Sequence, residues 1–146
     1  MTAPFRYSAG EIDRAVDLVH CSRAPSQRVF ALVGELGAGK TTLVSALARS
    51  LGVTEPTSSP TFSLVNEYAA PDGPVYHLDC YRLESVEEAL AAGLEEIFAT
   101  DRPIFVEWPA VIEPLLPDDV VILRLQHAPD GQARLLTITT DHPDEQ

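Results

Sequence analysis

Residues 34–41 read Gly-Glu-Leu-Gly-Ala-Gly-Lys-Thr and satisfy the pattern GxxxxGK[ST] at each required position. That spacing suits the holding of a nucleotide's phosphates. Glycines let main-chain N–H groups approach phosphate oxygens with no β-carbon in the way. Lys40 adds a positive charge for the β- and γ-phosphates, and the Thr41 hydroxyl is a ligand for Mg²⁺. Gly34, Glu35, Leu36, Gly37, Ala38, Gly39, Lys40, Thr41 and Thr42 are therefore the expected nucleotide-binding residues. Lys40 is the single lysine among ten basic residues.

Magnesium also needs carboxylates, directly or through water. Two lie at the carboxyl ends of expected strands, where open α/β sheets place their ligands. Glu107 follows Ile104-Phe105-Val106, an apolar run resembling a Walker B strand with Glu in place of Asp. Asp79 follows Val75 to Leu78. Either acid suits the metal shell or the orientation of an attacking water, and both are candidate catalytic and metal residues beside Lys40. His77 stands two residues before Asp79, on the same strand face, suited to steering Asp79, touching a phosphate or filling the core. Thr61, in Ser59-Pro60-Thr61-Phe62, sits where many P-loop enzymes sense the γ-phosphate. Trp108 suits a base, a partner or plain packing. Arg82 pairs more readily with Glu84 than with a phosphate, and Cys80 reads as a small buried residue. The chain holds no evident arginine finger.

These residues need elements to position them. The apolar run 28–33 reads as a buried strand entering the glycine loop. Leu43, Ala46, Leu47 and Leu51 mark one face of the helix that follows, ending at Gly52. Upstream, Ser8 and Glu11 fit a capping box opening a helix over about 9–21, with Ile12, Val16 and Val19 inward. A polar loop spans 54–61. Strands are expected over 62–68 and 75–78, joined by the turn Pro71-Asp72-Gly73-Pro74 as a hairpin. Ser85 and Glu88 form a second capping box before a short helix. Gly93 interrupts it, and 94–98 resumes. Further strands are expected at 104–106, 120–125 and 134–140. This order implies an α/β, P-loop NTPase-like, three-layer core around a mixed, mainly parallel sheet, as one domain over 1–146 with a polar tail from about 141.

The chain has 146 residues and a formal charge of -12, from 22 acidic and 10 basic side chains. So acidic a surface repels nucleic acid over most of its area, which argues against autonomous RNA or DNA binding. No apolar run is long enough to span a membrane, and no secretory signal is evident. Cys21 and Cys80 make neither a disulfide framework nor a zinc cluster, in keeping with a reduced, cytoplasmic setting.

Taken together, GELGAGKTT at 34–42, SPTF at 59–62, HLDCYRL at 77–83 and VEWP at 106–109 resemble the bacterial TsaE family, formerly YjeE. The resemblance runs from the first helix to the last strand. It implies a weak ATPase that binds ATP or ADP with Mg²⁺ and supports formation of N6-threonylcarbamoyladenosine at position 37 of tRNA. It also implies docking on the TsaB–TsaD heterodimer, which transfers the threonylcarbamoyl group, with tRNA met only through that complex. By resemblance Thr41 and Glu107 are magnesium positions, Asp79 is an essential acid, and Trp108 is the tryptophan beside the glutamate. Residues 8–12, with Glu11 as the candidate contact, lie where the family brings its amino-terminal segment near adenine. The loop reads Gly-Glu-Leu-Gly where Gly-Asp-Leu-Gly is common, a conservative change at an unrequired position. Two other classes fit a P-loop of this size. One is a small-molecule kinase, although the chain lacks an evident arginine-rich lid; the other is a nucleotide-gated binding module without significant turnover.

Overall fold

Five consecutive apolar residues, Val29–Val33, form β2, four of them fully buried. A strand buried on both faces belongs at the centre of a sheet, and β2 pairs in parallel with a strand on each side. These are β5, Ile104–Glu107, and β6, Val121–His127. In this computed structural model, which describes residues 4–35, 37–57 and 64–140, a seven-stranded sheet is built outward from that centre. Beyond β5 lies β4, Gly73–Asp79, again parallel, and then β3, Val65–Ala70, antiparallel to it. Beyond β6 lie β7, Arg134–Thr139, and β1, Phe5–Tyr7, both antiparallel. The strand order is β1-β7-β6-β2-β5-β4-β3.

The sheet is mixed, as expected, but its parallel character is confined to the centre. Each antiparallel pairing lies toward an edge; short connections join β3 to β4 and β6 to β7, whereas β1 pairs with β7 from the other end of the chain. The hairpin of β3 and β4 is present, with β3 at Val65–Ala70 rather than 62–68. Residues 58–63 and 141–146, and with them the Ser59–Phe62 segment, Thr61 and the expected tail, lie outside the described residues, as does Leu36. β1 escaped the sequence reading because three residues carry too little alternation.

Helices cover both faces. On one face α1, Ile12–Ser22, buries Ala15, Val16 and Val19, while α2, Lys40–Ser50, buries Leu43, Val44, Ala46 and Leu47. They enclose a core with Phe30 and Leu32 of β2 and Phe105 of β5. The other face, carrying Val29, Leu78, Ile104 and Val106, packs Ala89 of α3 (Val86–Ala91), Leu94 of α4 (Leu94–Phe98) and Ile112. Ile112 belongs to a 3₁₀ segment, Pro109–Leu115, unforeseen because prolines at 109 and 114 break the α-helical pattern.

Local capping follows the sequence in part. The Glu11 carboxylate accepts the Ser8 N–H at 2.9 Å and its hydroxyl at 3.0 Å, opening a short 3₁₀ turn, Ala9–Glu11, before α1. At α3, Ser85 Oγ accepts the Glu88 N–H at 3.2 Å, but the reciprocal bond is displaced. Glu88 accepts from the Glu84 N–H at 2.8 Å instead of from Ser85. The expected Arg82–Glu84 pair is absent among the described residues, and Arg82 is exposed.

Cys80 is buried, as its reading required, and desolvation pushes its thiol up to about 12. Native protein treated with a thiol reagent at neutral pH should therefore react quickly at exposed Cys21 alone, Cys80 following only on unfolding. Two fast thiols would contradict this packing. Phe105 stacks on Phe30 with ring centroids 5.1 Å apart. Phe105→Ala should cost about 3–5 kcal/mol in urea unfolding, through the transfer and cavity terms of a large buried ring.

Candidate functional site

The turn after β2 and the start of α2 bring the loop together. Gly34 leaves β2 so close to β6 that a β-carbon there would stand 2.5 Å from the Leu125 carbonyl oxygen. Gly39 opens α2 at φ 97°, in the left-handed region that disfavours side chains. The first turn of α2 then presents its free N–H groups and positive end to the space above the sheet.

That space is a cavity of about 340 Å³. Gly37, Ala38, Gly39, Lys40, Thr41 and Thr42 form one wall, and Asp79, Glu107 and Trp108, with Tyr81 and Arg134, complete it. The parallel registry of β4 and β5 explains how two acids 28 positions apart in sequence meet, since Asp79 is paired directly with Glu107. Alternation also puts His77 on the same sheet face, opposite Phe105.

Glu107 is almost fully buried, at 3% exposure, and is held from two sides. The Thr41 hydroxyl donates to its carboxylate, with oxygens at 3.0 and 3.1 Å. His77 Nε2 lies 2.6 Å from Oε2, and since an ionised carboxylate only accepts, the imidazole donates through Nε2–H. Of the three roles the sequence offers His77, steering Asp79, touching a phosphate or filling the core, burial holds, and its hydrogen-bond partner is Glu107 rather than Asp79. Asp79 is half-buried and accepts the Tyr81 N–H at 3.0 Å.

Lys40 is buried beneath Trp108. Its ammonium donates to the carbonyls of Gly34 and Glu35, the second at 3.1 Å, and lies 3.8 Å from the centre of the indole ring. Burial lowers its pKa, while the Glu107 and Asp79 carboxylates pull it back up. Trp108 takes φ 56° and ψ 61°, making it the sole non-glycine residue at positive φ among the described residues. A left-handed residue of this kind costs about 1–3 kcal/mol and persists where surroundings enforce it. Here it turns the chain out of β5 and lays the indole over Lys40, against Tyr81 at 4.9 Å between centroids.

Thr41 and Glu107 are suited to Mg²⁺, a hard cation that takes one or two carboxylates, a hydroxyl and substrate phosphates rather than a protein cage. Among the described residues no group of three or more His, Cys, Asp or Glu side chains converges on a metal position. Glu11 does not line this cavity; its carboxylate serves the start of α1 and an ion pair with Arg14 at 3.2 Å. Tyr81 and Arg134 were missed by sequence reasoning. Tyr81 follows directly in the HLDCYRL segment, whereas nothing local distinguishes Arg134.

Comparison with known proteins gives the chain's family. The family model for "Threonylcarbamoyl adenosine biosynthesis protein TsaE" matches residues 10–135. The chain belongs to the TsaE family. The TsaE protein of Bacillus subtilis is 37% identical over 129 residues, covering 88% of this chain and 80% of the relative. That of a Nostoc species is 57% identical over 107 residues, covering 70% and 65%. Among solved structures, the crystal structure of Bacillus subtilis YdiB superposes with a TM-score of 0.71 at 30% identity, covering 97% of this chain and 88% of that one. No helix among the described residues is long and apolar enough to cross a membrane.

Trp108 is the chain's one tryptophan and touches the ammonium that a phosphate would recruit. Titration with MgADP should therefore change intrinsic tryptophan emission saturably. K40A should lose the saturable change, and an unaltered spectrum in nucleotide-loaded wild type would contradict this coupling.

Proposed function

We propose that this TsaE-family chain binds ATP with Mg²⁺ in the P-loop cavity and hydrolyses it slowly as the ATPase component of tRNA threonylcarbamoyladenosine formation. The observation that carries the chemistry is the contact of Thr41 with a buried, doubly held Glu107, beside Lys40 and the loop N–H groups. That combination matches the needs of a phosphoanhydride, with donors and positive charge on one wall and carboxylates at the far end.

In hydrolysis a water attacks the γ-phosphorus while the bond to the β–γ bridging oxygen breaks, and ADP leaves with the electron pair. Bound Mg²⁺ supplies charge neutralisation on the β- and γ-oxygens. Thr41 and Glu107 would hold it, with His77 keeping the Glu107 carboxylate aimed. Lys40, in the cavity wall beside the loop, would donate to phosphate oxygens and offset the charge that shifts toward the leaving diphosphate. Asp79 lines the same cavity beside Glu107, its register partner across β4 and β5, which suits it to orient the water. The segment 8–12 is assigned to the adenine side, next to β1.

The setting is the cytoplasm, with the TsaB and TsaD proteins as partners. A net charge of -12 is fitting for a component that meets tRNA only through others.

The test is ATP turnover with Mg²⁺, alone and with TsaB, TsaD and a substrate tRNA. Wild-type turnover should rise with the assembled partners, and K40A should abolish it. D79N should lower turnover by about 10²-fold or more while MgADP still binds, as expected on removing a group that orients the attacking water. E107Q should lower turnover and also flatten the Mg²⁺ dependence of nucleotide affinity. Turnover indifferent to an assembled, competent TsaB–TsaD complex would overturn the assignment to tRNA modification.

A further inference from the structure

Arg134 is the first residue of β7, far from the P-loop in sequence, yet its side chain lies across the loop. Its Nε, Cδ and Cγ stand within 3.5 to 3.8 Å of where a β-carbon on Gly39 would be. It lines the same cavity as Lys40 and Thr41. An arginine carries five N–H donors in a fixed fork. Among the described residues the terminal nitrogens donate only to the Ala133 and Gly37 carbonyls, each at 3.4 Å, near the outer limit of a hydrogen bond. Its Nε is buried with no partner, and no carboxylate forms an ion pair with it among the described residues. A buried unpartnered N–H is rare enough to require an explanation. A phosphate group, which arginine recognises bidentately, supplies one.

From this we infer that Arg134 is a second phosphate-binding cation of the P-loop, gripping the nucleotide's diphosphate from the side opposite the acids. This rests on the nucleotide-binding reading above and extends it. The strand order decides which step the residue serves. β7 lies on the far side of β2 from β5 and β4, which carry Glu107 and Asp79. Arg134 thus approaches the loop over Gly37 and Gly39, away from the hydrolytic end. It holds the diphosphate that ATP and ADP share, so it acts on affinity and leaves the cleavage step alone.

The test compares wild type, R134Q and R134K by calorimetric titration with ADP, with and without Mg²⁺, and by competition with inorganic pyrophosphate. Gln keeps a donor for the Gly37 carbonyl and removes the charge; Lys keeps the charge and removes the fork. R134Q should weaken ADP and pyrophosphate about 10-fold or more, with or without metal. R134K should fall between it and wild type, and the melting temperature of the free proteins should stay close to wild type. At saturating ATP, kcat should remain within about twofold while KM rises. Unchanged ADP affinity in folded R134Q, or a fall in kcat at unchanged KM, would overturn the role. Failure of wild type itself to bind ADP would overturn the nucleotide reading instead.

Discussion

Burying a carboxylate inside a protein costs several kcal/mol unless hydrogen bonds replace the lost water. Glu107 meets that requirement with the Thr41 hydroxyl on one side and the His77 imidazole on the other. The three residues come from the first turn of α2, the end of β5 and the middle of β4, and so depend on the central parallel strands being in register. A one-residue slip of β4 against β5 would move His77 to the opposite face and leave Glu107 without one of its donors. The arrangement of helix, loop and sheet therefore follows the demands of one buried charge as much as those of the apolar core.

A second constraint acts on the loop itself. Gly34 passes too near the Leu125 carbonyl to bear a side chain, and Gly39 has both positive φ and the Arg134 side chain against it. Lys40 is folded back onto the loop carbonyls and capped by Trp108, whose left-handed backbone is the one such non-glycine conformation among the described residues. Strain and burial thus gather at the glycine loop and the cavity it lines, while the outer strands β1, β3 and β7 are ordinary antiparallel partners. Arg134 reaches the cavity from β7 and the acids Glu107 and Asp79 from β5 and β4, on opposite sides of β2.

Much of this was legible in the sequence because the signals are local. GxxxxGKT defines a strand-to-helix turn through the backbone freedom of glycine, and Val29–Val33 and Ile104–Val106 are buried strands by composition. Asp79 and Glu107 were identifiable as strand-end acids, since open α/β sheets gather their ligands there. The limits of the helices α1, α2 and α4 fell close to expectation for the same reason.

What the sequence did not contain was distance between residues remote along the chain. The partner of His77, the stacking of Trp108 on Lys40 and the arrival of Arg134 over Gly39 all depend on strand order and register. Strand order follows from how the helices pack on both faces, a property of the whole hydrophobic core. The edge strand β1 and the 3₁₀ segment 109–115 have weak intrinsic preference and exist because neighbours pair with or cover them. By itself, then, the sequence determined the chemistry on offer, since residue type and local spacing are enough for a phosphate loop. Tertiary structure alone decided which side chain aims which, because hydrogen bonds of about 3 Å are set only when separate elements are packed into one register.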